Sequence, residues 1–181
     1  GFLLLSGGVA AVPARATAPV APTLPTYSVT LTGYNAVPAQ TDSDPFTTAS
    51  GAYSNPEVVA ARSRDLADSL PFGTIIEVSG PTAAQNSCGY GVVEGEIGYR
   101  VIADTMNAKF TDRIDVLFST DSDYTLTGGR VRNAGTVLGI CDGVTIKVVG
   151  HIDLTHPGNL PNAQAAIAVL VDGNASAIAL K

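Results

Sequence analysis

The chain has 181 residues, 45% of them apolar and 14% charged, with 19 glycines, 11 prolines and a formal net charge of -6. That length gives one domain with a real core and leaves too little chain for two comfortable ones. Few charges, many turn formers and no clustered Lys and Arg exclude a nucleic-acid backbone as partner and predict an all-β or β-rich fold of short strands.

The opening "GFLLLSGGVAAVPARA" carries an apolar run at Phe2 to Leu5, small residues through Val12 and an Ala14-Arg15-Ala16 step. This pattern reads as the later part of a secretory signal over 1–16 and predicts export to a periplasmic, cell-wall or extracellular site. The run falls far short of the about 20 apolar residues that a spanning helix needs, so no stable membrane span is expected. Residues 17–26, rich in Ala, Pro and Thr, read as an extended tether, because proline removes backbone donors and stiffens the chain. The folded domain is expected over 27–181.

Within it, "YSVTLTGYNA" alternates apolar and polar residues with the period of a half-buried strand. "SNPEVVAARSRDLADSL" predicts a helix, with Pro56 and Glu57 opening the first turn and Val58, Val59, Ala61 and Leu66 forming an apolar stripe. "PFGTIIEVSG", "YRVIAD", "RIDVLF", "TVLG" and "VTIKVVGHI" predict further strands bounded by Gly, Asp or Asn. The terminal "NAQAAIAVLVDGNASAIALK" predicts a strand pair turning at Asp172-Gly173-Asn174. No internal repeat is visible.

Cys88 and Cys141 sit in turn-like contexts, "NSCGYG" and "GICDGV". An even cysteine count in an exported chain predicts a disulfide closing a long loop, a constraint that stabilises by about 2–4 kcal/mol. His151 and His156 lack the spacing of a metal site. Asp42-Ser43-Asp44 and Asp121-Ser122-Asp123 do not continue into the glycine and distal glutamate of a calcium loop and read as solvated turns. No metal or cofactor is expected.

Two acids, Asp104 and Asp115, fall inside apolar segments that otherwise read as buried strands. In Arg113 to Phe118, strand alternation puts Ile114, Val116 and Phe118 on one face and Arg113, Asp115 and Leu117 on the other. Two carboxyls brought to one surface repel, so one holds its proton near neutral pH and can donate it. The same spacing also allows Asp104 to cap a turn and Asp115 to pair with Arg113 or Lys147.

The ordered segments "TGYNA", "FTTASG", "PFGT", "VIADTMNAKFTDRIDVLF" and "VTIKV", spanning Val29 to Val149, resemble the domain family named for its three aspartates, the 3D domain. This resemblance implies a six-stranded double-psi β-barrel with short helices. It implies the chemistry of murein lytic transglycosylases: cleavage of the β-1,4 bond between N-acetylmuramic acid and N-acetylglucosamine in peptidoglycan glycan strands. Asp115 matches the catalytic acid, Asp104 the supporting acid and Lys109 the loop lysine, while Asp65 or Asp68 matches the first aspartate. Tyr34, Thr48 and Ser50 are expected along the sugar groove. One departure stands out: Met106 and Asn107 replace two glycines that follow the family's D-T step, which predicts a reshaped loop because only glycine enters φ > 0 freely. That departure keeps a second reading in play, a cell-wall glycan-binding or structural module without catalysis. An aspartic protease is excluded, since Asp104-Thr105-Met106 lacks the glycine of a D-T-G motif and has no second copy.

Overall fold

A computed structural model describes residues 24–41, 44–81 and 88–179. The expected leader, most of the expected tether and Asp42-Ser43 lie outside those residues. Six strands close into one mixed barrel in the order β1-β5-β2-β4-β3-β8: β1 (Thr26–Asn35), β2 (Val59–Arg62), β3 (Thr74–Ser79), β4 (Tyr99–Thr105), β5 (Arg113–Phe118) and β8 (Cys141–His151). The pairs β1/β5 and β2/β4 run parallel and the other contacts are antiparallel, so the β-rich six-stranded barrel is as expected. A small antiparallel ribbon, β6 (Asp123–Thr125) with β7 (Val131–Asn133), lies outside it. Apolar alternation explains the walls. Val29, Leu31, Ile76, Ile102, Ile114, Val116 and Ile146 fill one buried cluster, and Val59, Ala61, Ile75, Val101, Ala103 and Leu117 fill a second.

Within the segment expected to be helical, Val59–Arg62 is instead β2, buried at every position and lying between β4 and β5. A short, uninterrupted apolar run serves a two-sided strand as well as a helix stripe, and β-branched Val58 and Val59 favour the strand. Only Arg64–Leu66 takes a helical turn, of the 3-10 type. The expected strand at "TVLG" is helix α2 (Ala134–Leu138), started by Asn133, whose side chain accepts a hydrogen bond from the Gly135 N–H at 3.1 Å. The expected C-terminal hairpin is helix α3 (Gln164–Ala179), with Ile167 buried against the second cluster. Its many alanines favour helix strongly enough to carry the Asp172-Gly173-Asn174 step without a turn.

Helix α1 (Tyr90–Ile97) buries Tyr90, Val93 and Ile97, residues spaced at helical intervals that the strand-oriented reading passed over. Arg100 is 1% exposed and its guanidinium donates to the carbonyls of Ile97, Pro56, Leu117 and Glu96. It thereby ties the end of α1 to the lead into β2 and to β5. Cys88 and Cys141 form the expected disulfide, joining the approach to α1 to the first residue of β8 with Cα atoms 5.3 Å apart. Gly33 lets α2 pack on β1, since a Cβ there would lie 2.7 Å from the Phe118 ring and 3.0 Å from the Gly135 Cα. Among the described residues no helix is long and apolar enough to cross a membrane.

Candidate functional site

Four strands bring the site together in one transverse row. Thr32 on β1 is in register with Asp115 on β5, Asp115 with Ala61 on β2, and Ala61 with Asp104 on β4. The two acids therefore flank a strand whose intervening residue is only an alanine. Two inter-strand steps separate their Cα atoms by roughly 10 Å, wider than a pair in direct contact. The register of Asp104 depends on a bulge. Ala60 faces Ile102 but Ala61 faces Asp104, so Ala103 is the extra residue and the acid is turned to the side that Asp115 occupies.

A cavity of about 400 Å³ opens on this row, lined in part by Tyr34, Ala61, Arg64, Asp104, Met106 and Asp115. Its size falls in the range of small-ligand clefts, about 300–1,000 Å³. One wall is a narrow ribbon in which Thr47 pairs with Tyr53 and the Ser54 N–H donates to the Phe46 carbonyl at 2.9 Å. Its tip is fastened to the bulge. The Ser50 N–H donates to the Ala103 carbonyl at 3.0 Å, and the Ala49 N–H donates to Asp104 Oδ1 at 2.9 Å.

The two acids differ sharply in their surroundings. Asp104 accepts from the Ala49 N–H, from the Thr105 N–H at 2.8 Å and, on its other oxygen, from the Tyr34 hydroxyl at 2.9 Å. Asp115 has one oxygen, Oδ1, that is buried with no hydrogen-bond partner. Burial pushes the Asp115 carboxyl up to about 6; the Thr32 hydroxyl and the Arg113 charge hold it down, and the charge of Asp104 raises it least of all. Loss of solvent, more than repulsion between acids, is therefore what keeps a proton on Asp115. Burial, followed by the Asp104 charge, raises Tyr34 well above the usual phenol range, so its hydroxyl remains a donor.

Of the residues singled out by sequence, Tyr34, Asp104 and Asp115 line the cavity together. Thr48, Ser50, Lys109 and Asp65 are not part of its lining. The Thr48 hydroxyl donates to the Ala52 carbonyl and meets the Ser50 hydroxyl, each at 3.0 Å, so both side chains hold the ribbon. Lys109 lies over Phe110, with its Nζ 4.9 Å from the ring centre, and Arg113 packs on the same ring at 4.7 Å. Asp65 accepts from the Asp112 N–H at 2.9 Å. This bond lowers the Asp65 carboxyl and steadies the start of β5. Asp112 is the one non-glycine with positive φ among the described residues, at 49°. Met106 and Asn107 therefore avoid that region. The Met106 N–H donates to the Arg62 carbonyl at 2.9 Å, and Asn107 closes an Asx turn by accepting from the Lys109 N–H at 3.1 Å. Asp115 makes no ion pair with Lys147, which sits 3.8 Å from Glu77.

Sequence reasoning passed over Thr32, Ala61, Phe46 and Tyr53. The first two acquire meaning only from strand pairing between distant segments. Phe46 and Tyr53, 60% and 64% exposed on the ribbon beside the cavity, carried a visible signal as aromatic residues in a Thr- and Ser-rich turn region. Among the described residues no cluster of His, Cys, Asp and Glu could hold a metal ion. No family model matches the chain, and no curated protein matches it.

Proposed function

We propose that this protein cleaves peptidoglycan glycan strands as a lytic transglycosylase, with Asp115 as the single general acid and base. The observation that carries this reading is the asymmetry of the acids. Asp115 has raised proton affinity and an unpartnered oxygen, whereas the oxygens of Asp104 are taken by three donors. With both oxygens occupied by donors, Asp104 is badly placed to attack a sugar carbon or to activate water, which disfavours the two-carboxylate routes of ordinary glycosidases. One carboxyl suffices for intramolecular transfer. Asp115 gives its proton to the glycosidic oxygen, the C1–O bond breaks, the sugar's own C6 hydroxyl oxygen bonds to C1, and the hydroxyl proton returns to Asp115. No water is consumed. Asp104 and Tyr34 position the wall of the site, and exposed Phe46 and Tyr53 offer aromatic faces to sugar rings.

The glycan itself is inferred from the resemblance to 3D domains, and the disulfide fits an exported protein working in the cell wall. Digestion of purified peptidoglycan in ¹⁸O-labelled water tests the proposal. The expected products are 1,6-anhydro sugars without label; reducing-end sugars carrying ¹⁸O would make the protein a hydrolase. Binding to peptidoglycan without any release of fragments would leave the non-catalytic module as the function.

A further inference from the structure

We propose that Thr32 is the positioning residue of this acid: from the neighbouring parallel strand its hydroxyl donates to the Asp115 carboxylate and sets how readily that carboxylate takes up a proton. One face of β1 carries a row of hydroxyl side chains. Thr30, Thr32 and Tyr34 alternate onto the same side of the strand. Thr30 Oγ1 donates to Asp142 Oδ1 at 2.7 Å, and the Tyr34 hydroxyl donates to Asp104 Oδ2 at 2.9 Å. Thr32 stands between them in Cα register with Asp115. Two hydroxyls of this face thus address carboxylates on two other segments, and the middle one stands beside the acid that lines the cavity.

The other charged or titratable groups around Asp115 do not duplicate that bond. Arg113 precedes it by two positions on β5 and acts through its charge, Asp104 lies across Ala61 on β4, Tyr34 is engaged with Asp104, and Arg64 and Asp44 belong to the cavity wall. Of the influences that favour the charged carboxylate, the hydrogen bond from Thr32 is the largest, ahead of Arg113. A donor aimed at a carboxylate stabilises the ionised form and eases release of the proton. An acid that must give a proton and take one back needs both states within reach. Burial alone would favour the protonated state further, and Thr32 offsets part of that bias.

As a statement about proton affinity this is independent of the glycan reading; only its consequence for turnover rests on it. The experiment is a carboxyl ¹³C NMR titration of the full chain, with the Asp115 signal assigned by its loss in Asp115→Asn. Thr32→Val should move the Asp115 midpoint upward by about one pH unit. Thr32→Ser, which keeps the hydroxyl, should titrate like the parent, and Thr30→Val should leave Asp115 in place. If valine at 32 prevents folding, Thr32→Ala removes the same hydroxyl and carries the same expectation. In cleavage assays the alkaline limb of the pH profile should rise with the midpoint. An unchanged Asp115 midpoint in a folded Thr32→Val or Thr32→Ala protein overturns the inference, as does an equal shift in Thr30→Val. A shifted midpoint in a protein that cleaves nothing supports Thr32 while removing the enzymatic reading.

Discussion

Asp115 places a carboxyl where its charged form loses solvent, and stability must reflect that. Its proton is held to about pH 6 in the folded chain, against an ordinary value of 3.8. Below about pH 3 both folded and unfolded forms are protonated and the group contributes nothing. As pH rises from there the unfolded chain ionises first, so stability falls until the folded carboxyl also ionises above about pH 6, where the cost reaches at most about 3 kcal/mol. Asp115→Asn removes the charge with little change of shape. Thermal unfolding of both proteins should therefore find the variant more stable at pH 8 by about 1–3 kcal/mol, and the two should converge below about pH 3. A variant less stable at pH 8 would mean that the carboxylate is well solvated or paired. Asp104 calls for a different expectation. Its charge is the smallest influence on Asp115, and its oxygens hold the ribbon tip and Tyr34. Asp104→Asn should lower cleavage by about 10–100-fold through lost positioning, with only a slight acid shift of the pH profile. A large acid shift would restore repulsion between the acids as the dominant effect.

At the scale of elements, the site was half legible. Acids in otherwise apolar segments announced Asp104 and Asp115, and alternation correctly put Asp115 opposite Ile114, Val116 and Phe118, which are all in the first buried cluster. What makes them one site was not legible. Ala61 lay in a segment whose apolar run fits helix and strand alike, and the bulge at Ala103 is specified only when β2 and β4 pair. Where local preference and burial disagreed, burial decided at β2; where alanine content was high and the core contact small, local preference decided at α3. Arg100 illustrates the same limit, because nothing in "IGYRVIAD" marks an arginine for full burial. Burial lowers it to about 10, so it stays charged at neutral pH and keeps all its donors. Arg100→Met would leave the carbonyls of Pro56, Glu96, Ile97 and Leu117 without this donor. Urea unfolding should show a loss of at least about 3 kcal/mol. A near-neutral result would mean that water or neighbouring amides replace the guanidinium.

On the scale of the whole molecule, barrel closure is what converts separate segments into a cavity. The row Thr32, Asp115, Ala61 and Asp104 draws on four strands, while the disulfide fastens α1 and β8 on other parts of the chain. The central claim is that one carboxyl performs the reaction in this frame. The most direct measurement is the rate of soluble fragment release from purified peptidoglycan by the parent and by Asp115→Asn, at a pH where both are folded. A general acid contributes about 10²–10⁴-fold, so release by the variant should fall by that factor or to background. Equal release by the two proteins would contradict the account.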